Sequence, residues 1–237
     1  MAAPRRFALI PAGGKSARFG GALPKQYVEL AGTPVLRRTI DALHNSVVLE
    51  AMFVVLAPKD KLYAERVGQI AGVVPVYCGG RTRAESVMNG LARIGVRAEA
   101  DDWILVHDAV RPCVDVSMLN RLLHELEDEP VGGLLAVPLA DTLKRAETGA
   151  GLRAAGTEAR TGLWCAQTPQ MFRYAILQHA VKQSDPAAVT DEAQAVEALG
   201  VKPKLVLGSP ANIKLTYPED MALAEAIIAG RRSGAVK

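Results

Sequence analysis

The sequence predicts an α/β protein with a Rossmann-like arrangement, in which a mostly parallel sheet is flanked by helices. Its 237 residues are 49% hydrophobic and 22% charged, which is typical of a globular protein with a sizeable core. Short apolar runs alternate with longer amphipathic segments over residues 7–137. That alternation is the pattern of parallel βαβ units. Polar, glycine-containing segments follow several of the runs, where parallel sheets bind ligands.

Five apolar runs are predicted to be strands, because each is short, rich in aliphatic residues and bounded by polar ones. They cover Phe7–Pro11, Met52–Ala57, Val73–Tyr77, Trp103–His107 and Gly133–Val137. The segments between them have helical spacing of apolar residues. Helices are therefore predicted near Pro34–Ser46, Lys59–Ile70, Arg83–Ile94 and Val116–Leu126.

The alternation stops at about Leu139. From Ala140 to Gly162 the chain is polar, contains several glycines and has no apolar periodicity. A structureless loop of this length is uncommon inside a compact domain. We therefore predict an extended β-hairpin over about residues 139–162, called the arm below, which projects from the domain and packs on another copy of the chain for dimerisation.

Helical patterns return after the arm. Helices are predicted at Phe172–Gln183 and Thr190–Leu199, a strand at Lys204–Leu207, and a last helix after Pro218. Proline in a first turn beside acidic residues is a helix-start signal. We see no internal repeat and no linker, so we predict that residues 1–237 form a single domain that carries the arm.

Composition and charge argue against several classes of function. A net charge of +3 with scattered basic residues gives no sign of a nucleic-acid-binding surface. Three distant cysteines and four histidines have neither disulfide-scaffold nor metal-ligand spacing, which is typical of a reducing compartment. No apolar stretch is long enough to span a bilayer, and the one before Pro11 is too short for a signal-peptide core. We expect a cytoplasmic protein.

The loop after the first predicted strand suits a polyphosphate. Gly13 and Gly14 allow close approach of the backbone, and successive amides form an anion-binding concavity. Three cations, Lys15, Arg18 and Lys25, can neutralise phosphate charge. The glycine spacing matches neither a P-loop nor a dinucleotide-binding motif. Taken alone, the loop is also compatible with a flexible surface segment.

Two more polar segments follow predicted strands. Gly79-Gly80-Arg81 allows a ligand to approach, and Ser86 either contacts a base edge or caps the next helix. Asp108 ends a strand, where a carboxylate can hold Mg²⁺ or a ribose hydroxyl, or cap a helix. His107 lies inside the same strand and is predicted to be a core residue.

Three later segments have simpler interpretations. Thr190-Asp191-Glu192 is typical of a helix N-cap with acidic first-turn residues, with ligand contact as the alternative. Lys214 is flanked by apolar residues, unlike a lysine in a solvated charge run. Leu163–Gln170 is predicted to be a turn with a packing tryptophan, and its Cys165 has no activating partner in the sequence.

A series of short motifs over nearly the whole chain, from Phe7 to about Arg231, resembles the 2-C-methyl-D-erythritol 4-phosphate cytidylyltransferases. The motifs are Pro11-Ala12-Gly13-Gly14 with Arg18, Pro24-Lys25-Gln26, Gly79-Gly80-Arg81 through Ser86-Val87, His107 to Pro112, Asp141-Thr142, Gln167 to Gln170, Thr190 to Ala193 and Asn212-Ile213-Lys214. Members of the family often carry a further glycine and a basic residue where this chain has Ser16 and Ala17.

The resemblance implies a nucleotidyltransferase fold, a homodimer formed through the arm, CTP as donor and Mg²⁺ as cofactor. It implies that Arg18, Lys25, Arg160 and Lys214 are catalytic. The nucleotide would be held by Pro11, Ala12, Gly13, Gly14, Lys15, Gly80, Arg83, Ser86, Asp108 and Ala109, with Asp108 also near the metal. The acceptor would meet Arg111, Asp141, Thr142, Arg160, Thr168, Thr190 and Lys214.

The implied reaction is attack by a phosphomonoester on the α-phosphorus of CTP, a step of non-mevalonate isoprenoid synthesis. A phosphomonoester is largely dianionic at pH 7, so no general base is required. Positioning and cationic charge are then the main sources of rate. Two alternatives stay open: a cytidylyltransferase for another polyol phosphate, such as ribitol 5-phosphate, and a non-catalytic nucleotide-binding module.

Overall fold

The computed structural model of the protein describes residues 3–14, 19, 23–149 and 151–232. Its strands are β1 (Arg6–Pro11), β2 (Glu29–Leu30), β3 (Thr33–Pro34), β4 (Ala51–Val55), β5 (Val73–Val76), β6 (Trp103–Val106), β7 (Gly132–Pro138), β8 (Leu143–Ala146), β9 (Ala154–Glu158), β10 (Trp164–Arg173) and β11 (Lys204–Leu207). Its helices are α1 (Val35–His44), α2 (Leu62–Arg66), α3 (Arg83–Ile94), α4 (Val116–Leu126), α5 (Tyr174–Gln183), α6 (Glu192–Glu197) and α7 (Asp220–Arg232), with a short 3-10 helix at Lys25–Tyr27.

A seven-stranded sheet forms the centre of the fold, in the order β11-β7-β10-β6-β1-β4-β5. Strand β1 is parallel to both of its neighbours, β4 and β6. The other neighbouring pairs are parallel too, except that β10 runs antiparallel to β6 and β7. The predicted mostly parallel α/β sheet is therefore confirmed.

Alternate side chains of β1 enter the cores on the two faces of the sheet. Phe7 and Leu9 pack with residues of α3, α5 and α6. Ala8 and Ile10 pack with residues of α1, α2 and α4. Because both faces are covered, the strand is apolar throughout, as the sequence indicated, and full burial of each large side chain contributes about 1.5–3 kcal/mol.

The predicted arm is a β-hairpin. Strands β8 and β9 pair with each other antiparallel and form a sheet separate from the central one. Their side chains are mostly exposed, and Leu152 in the connection between them is 97% exposed. The hairpin thus has no core of its own, and its packing on a second copy stays a prediction.

The main departure from the sequence-based prediction is β10. The segment Leu163–Gln170 was predicted to be a turn, but from Trp164 onward it belongs to a ten-residue strand of the sheet, and α5 begins at Tyr174 rather than Phe172. Pro169 interrupts the strand pattern in the sequence. In the structure, the pairing of β10 with β7 shifts its register between Ala166 and Gln170. Of the described helices, none is both long and apolar enough to cross a membrane.

Candidate functional site

A cavity of about 880 Å³ opens at the carboxyl ends of the parallel strands. Its walls come from the segments that follow β1, β4, β5 and β6, as expected for an open α/β sheet. It is lined by Pro11, Ala12, Gly13, Gly14, Lys25, Gln26, Ala57, Pro58, Gly79, Gly80, Arg81, Thr82, Arg83, Glu85, Ser86, Asp108, Ala109, Val110 and Lys214. The polar segments predicted to meet at this edge do meet there.

Hydrogen bonds hold the segment that follows β1 in place. The amide of Ala12 donates to the Val55 carbonyl at 2.7 Å. The buried Gln26 side chain donates to the Ala12 carbonyl at 2.8 Å and to the Gly14 carbonyl at 3.4 Å. Gln26 therefore fixes the start of the glycine-rich loop. Lys15, Ser16, Ala17 and Arg18, which include two predicted nucleotide contacts, lie outside the described residues.

The wall after β5 is made of backbone. A Cβ at Gly79 would lie 2.8 Å from the Leu56 carbonyl oxygen, so a side chain there would force the backbone to move. Ser86 Oγ accepts from the Gly80 amide at 3.0 Å and donates to the Thr82 carbonyl at 2.9 Å. The cap of α3 is Thr82, which accepts from the Glu85 amide. Ser86 thus fixes the loop that lines the cavity and is not the helix cap.

Asp108 lies at the centre of a cluster of charges. Its Oδ1 accepts from Arg83 Nε at 3.0 Å. Its Oδ2 lies 2.9 Å from Lys214 Nζ and 3.4 Å from Arg111 Nε. Arg83 also donates through its two terminal nitrogens to Glu192, at 2.6 and 3.0 Å. Five charged side chains from separate parts of the chain are therefore joined at one wall of the cavity.

The cations keep Asp108 ionised. Burial alone would raise the pKa of the Asp108 carboxyl, but Arg83, Lys214 and Arg111 hold it well below its usual range. Burial alone would lower the pKa of Arg83, and the Glu192 and Asp108 carboxylates outweigh it and raise that pKa. Burial lowers the pKa of Arg111. Asp108 is consequently ionised and Arg83 protonated near neutral pH.

His107 contacts two residues that hold this cluster, Thr168 and Arg111. It is fully buried, and burial lowers its pKa to about 4, so the ring is neutral near pH 7. Its Nδ1 is 2.9 Å from the Thr168 hydroxyl, and its Nε2 is 3.1 Å from the Arg111 carbonyl. A carbonyl only accepts, so we assign the proton to Nε2 and let Thr168 donate to Nδ1. The prediction of a core histidine is confirmed.

Thr168 is beneath the cavity rather than on its wall. Its hydroxyl oxygen accepts from the Asp108 amide at 3.0 Å while it donates to His107, and the residue is buried. The hydroxyl is therefore engaged within the protein. In the structure Thr168 holds the backbone of Asp108, and its predicted contact with the acceptor stays a prediction.

Two lysines, Lys25 and Lys214, line the cavity. Lys25 donates to the Leu215 carbonyl at 2.8 Å, which ties the loop after β1 to the segment before α7. That segment is also held by the buried Asn212, which donates to the Thr168 carbonyl at 2.9 Å. The Lys214 side chain is 41% exposed although it pairs with Asp108. It can therefore reach a ligand in the cavity.

Several predicted acceptor contacts lie away from this cavity. Arg111 is buried, and besides Asp108 it contacts the Asn212 carbonyl at 2.6 Å. Thr190 donates to the Gln194 side chain at 3.0 Å just before the N-cap Asp191, as the capping interpretation predicted. Three residues of or beside the arm, Asp141, Thr142 and Arg160, are exposed and do not line the cavity of their own chain.

The carboxylate chemistry of the cavity limits how a metal could bind. Among the described residues, no three His, Cys, Asp or Glu side chains are grouped as a metal site. Asp108 is an ionised carboxylate at the cavity wall whose oxygens pair with Arg83, Lys214 and Arg111, so it could join a metal by exchanging one of these partners, with phosphate oxygens supplying the remaining positions. Mg²⁺ is commonly bound in this manner, through one or two carboxylates and the substrate. The residues present therefore fit a substrate-bound magnesium ion, not a site built of protein ligands alone.

Comparisons with known proteins agree with this geometry. The model of the 2-C-methyl-D-erythritol 4-phosphate cytidylyltransferase family matches residues 7–230. An enzyme of that name from Dechloromonas aromatica (strain RCB) is 51% identical over 231 residues, which cover 97% of this chain and all of the relative. A crystal structure of 4-diphosphocytidyl-2C-methyl-D-erythritol synthase is 40% identical, with a TM-score of 0.83 over 95% of this chain and 98% of the other. The Francisella tularensis cytidylyltransferase structure has a TM-score of 0.79 at 32% identity, over 94% of this chain and 99% of that one.

Proposed function

The chain belongs to the 2-C-methyl-D-erythritol 4-phosphate cytidylyltransferase family, and we propose that the cavity at the strand ends is where its residues carry out the reaction. The protein transfers CMP from CTP to 2-C-methyl-D-erythritol 4-phosphate, giving 4-diphosphocytidyl-2-C-methyl-D-erythritol and pyrophosphate in isoprenoid biosynthesis. The observation that carries the placement is the Asp108 cluster, which brings Arg83 and Lys214 to a cavity walled by backbone.

The chemistry needs orientation and charge more than proton transfer. A phosphate oxygen of the acceptor forms a bond to the α-phosphorus of CTP, and the bond from that phosphorus to the β-phosphate oxygen breaks. The acceptor phosphate is already mostly dianionic at neutral pH, so it can attack without a base. Consistent with this, the histidine nearest the cavity, His107, is neutral, buried and engaged at both ring nitrogens.

The donor half of the site consists of the two glycine-containing walls. Gly13 and Gly14 after β1 and Gly79 and Gly80 after β5 all line the cavity, and we propose that phosphates and a pyrimidine ring lie against their backbone. Lys25 stands at the same cavity and can neutralise the triphosphate. Arg18 and Lys15 remain proposed partners of the triphosphate on the strength of the sequence.

The acceptor half involves Lys214. In the structure its ammonium group pairs with Asp108 at 2.9 Å, and its side chain is partly exposed. We propose that the ammonium group contacts the acceptor phosphate and orients it for in-line attack. Arg160, Thr142 and Asp141 would complete this half from the arm of a second copy, since they do not line the cavity of their own chain. The protein would then work as a homodimer.

Asp108 is the proposed protein ligand of the magnesium ion or of the ribose. When bound, Mg²⁺ would neutralise the charge of the phosphate oxygens and hold them in one arrangement. Asp108 suits this role because its carboxylate is ionised and lines the cavity. We further propose a single domain over residues 1–237 and a cytoplasmic location, in line with three cysteines that are all free thiols.

The magnesium role is tested by titrating Mg²⁺ in a pyrophosphate-release assay. Asp108→Asn should raise the Mg²⁺ concentration for half-maximal rate at least about tenfold, because the ligand charge is lost. Glu85→Gln is the matched control, since Glu85 lines the same cavity but contacts the loop residue Arg81. An unchanged Mg²⁺ requirement in Asp108→Asn would remove Asp108 from the metal site.

A further inference from the structure

We infer that Glu192 is a positioning residue for this reaction, acting through Arg83 on Asp108. Glu192 lies in the first turn of α6 and is 2% exposed. Its two carboxylate oxygens accept from the two terminal nitrogens of Arg83, at 2.6 and 3.0 Å. The remaining guanidinium nitrogen, Nε, donates to Asp108 at 3.0 Å. The planar fork of Arg83 is thus fixed by carboxylates on two sides.

This arrangement assigns Arg83 a different task from the nucleotide contact that the sequence implied. Arg83 lines the cavity, but all three of its guanidinium nitrogens donate to protein carboxylates. Glu192 therefore holds the guanidinium toward Asp108 and away from incoming phosphates. Loss of the Glu192 charge would leave the two terminal nitrogens free to bind a phosphate, and the carboxylate of Asp108 would lose a fixed partner.

The charges alternate from the interior to the cavity, in the order Glu192, Arg83, Asp108 and Lys214. The first member is 2% exposed as a residue, whereas the Lys214 side chain is 41% exposed. The chain of ion pairs is thus anchored at its buried end and meets the substrate at its open end. The inference rests on the proposed role of Lys214, because it says what holds that lysine's partner in place.

Helix α6 has other anchors that do not involve this charge. Asp191 caps it by accepting from the Gln194 amide at 2.9 Å, and the Gln170 side chain accepts from the Ala193 amide at 2.8 Å. Ala193 and Val196 pack in the core. A buried ion pair is in general weak evidence for stability. The Glu192 charge therefore has its clearest use at the site.

The test compares kcat, KM for both substrates and the melting temperature of Glu192→Gln with the wild type. We expect kcat to fall about tenfold to hundredfold, with a smaller change in either KM, because a misplaced cluster loses transition-state contacts. Glu197→Gln, the same substitution on the exposed side of the same helix, should stay within about twofold of wild type. The double variant Arg83→Met, Glu192→Gln should be about as slow as Arg83→Met alone, because Glu192 acts through Arg83.

If Arg83→Met alone does not fold, the double variant is compared with Glu192→Gln instead. The double variant retains neither charge of the Glu192–Arg83 pair, and its kcat should fall by the same factor as in Glu192→Gln or by a larger one. A kcat within twofold of wild type in Glu192→Gln, losses that add in the double variant, or a change confined to the melting temperature would each overturn the inference. Lys214→Ala is measured in parallel. A wild-type rate there would contradict the proposed function, whereas a slow Lys214→Ala beside a fast Glu192→Gln contradicts the inference alone.

Discussion

At the scale of single residues, Lys25 is a cation that we propose contributes to the rate of the reaction. Its ammonium group lines the cavity and donates to the Leu215 carbonyl at 2.8 Å, so it is already oriented before a ligand arrives. Preorganised charge of this kind stabilises the charge that develops in the transition state.

We therefore predict that Lys25→Ala lowers kcat about 10²–10³-fold, the scale expected for loss of one preorganised contact. Steady-state pyrophosphate release with CTP and the acceptor measures the effect. Lys202→Ala, at an exposed lysine before β11, is the control and should behave as wild type. A residual rate near wild type in Lys25→Ala would exclude Lys25 from transition-state stabilisation.

His107 makes the stability of the protein depend on pH. Its pKa is lowered to about 4 in the folded protein, against about 6.5 in an unfolded chain. Between these values the unfolded state binds a proton that the folded state does not, so stability falls as pH falls. From about pH 7.5 to about pH 5, His107 should cost about 2 kcal/mol of unfolding free energy.

The measurement is urea unfolding at these two pH values. His107→Asn should be less stable overall, yet its stability should change with pH by about 2 kcal/mol less than that of the wild type. His179→Asn, at an exposed histidine of α5, is measured in parallel as the control substitution. The same dependence in His107→Asn and the wild type would contradict the assignment of a neutral buried His107.

The sequence was informative about residues that directly follow strands. It was uninformative about contacts between residues that are far apart in the sequence. Asp108 and Lys214 could be selected from their strand-end and apolar surroundings, and both line the cavity. Glu192 looked like a first-turn acid, because its contact with Arg83 spans 109 positions and exists only in the folded chain. Thr168 was predicted to contact the acceptor, and nothing in the sequence indicated that its hydroxyl donates a hydrogen bond to the buried His107, 61 positions away.

At the scale of elements, the arm is the feature with the largest untested consequence. Strands β8 and β9 carry almost no buried side chains, and Leu152 near the turn is 97% exposed. We predict that this hairpin, which has no core of its own, packs on another copy of the chain. The acceptor contacts proposed for Thr142 and Arg160 require such a copy.

We predict that replacing residues 140–162 with a short glycine-serine turn gives a monomer that still binds CTP but loses acceptor affinity, because the donor walls lie outside the arm. Light scattering gives the oligomeric state, calorimetry the CTP affinity, and initial rates the acceptor KM. Leu152→Ser keeps the arm and its proposed acceptor contacts. It therefore separates the effect of losing the dimer from the effect of losing the acceptor-binding side chains of the arm. A monomer with a normal acceptor KM would show that the site is not shared.

Elements differed in how well the sequence predicted them. The strands β1, β4 and β6 were found because they are buried on both faces and hence apolar throughout. The arm was found because its polarity excludes it from the core. Strand β10 was missed, since its first half lies where the arm leaves the sheet and its middle contains Pro169, so neither a continuous nor an alternating apolar pattern results.

At the scale of the whole molecule, the fold brings the proposed donor wall and the proposed acceptor wall to one end of one sheet. Loops after β1 and β5 line the cavity where we propose that the nucleotide binds, and the segment before α7 supplies Lys214. Asp108, at the end of β6, joins the two by its ion pairs to Arg83 and Lys214. The topology thus explains why residues far apart in the sequence act at one site.

The transfer of CMP to 2-C-methyl-D-erythritol 4-phosphate is tested by an assay of pyrophosphate release from CTP in the presence of Mg²⁺. The acceptor is either 2-C-methyl-D-erythritol 4-phosphate or ribitol 5-phosphate. Both acceptors are phosphomonoesters, so they present the same nucleophile and differ in the polyol that the cavity must accept. We predict rapid release with the methylerythritol phosphate and a kcat/KM at least about 10²-fold lower with ribitol 5-phosphate, as when a substrate misses contacts that the site is built to make. Equal or better use of ribitol 5-phosphate, or no release with either acceptor, would contradict it.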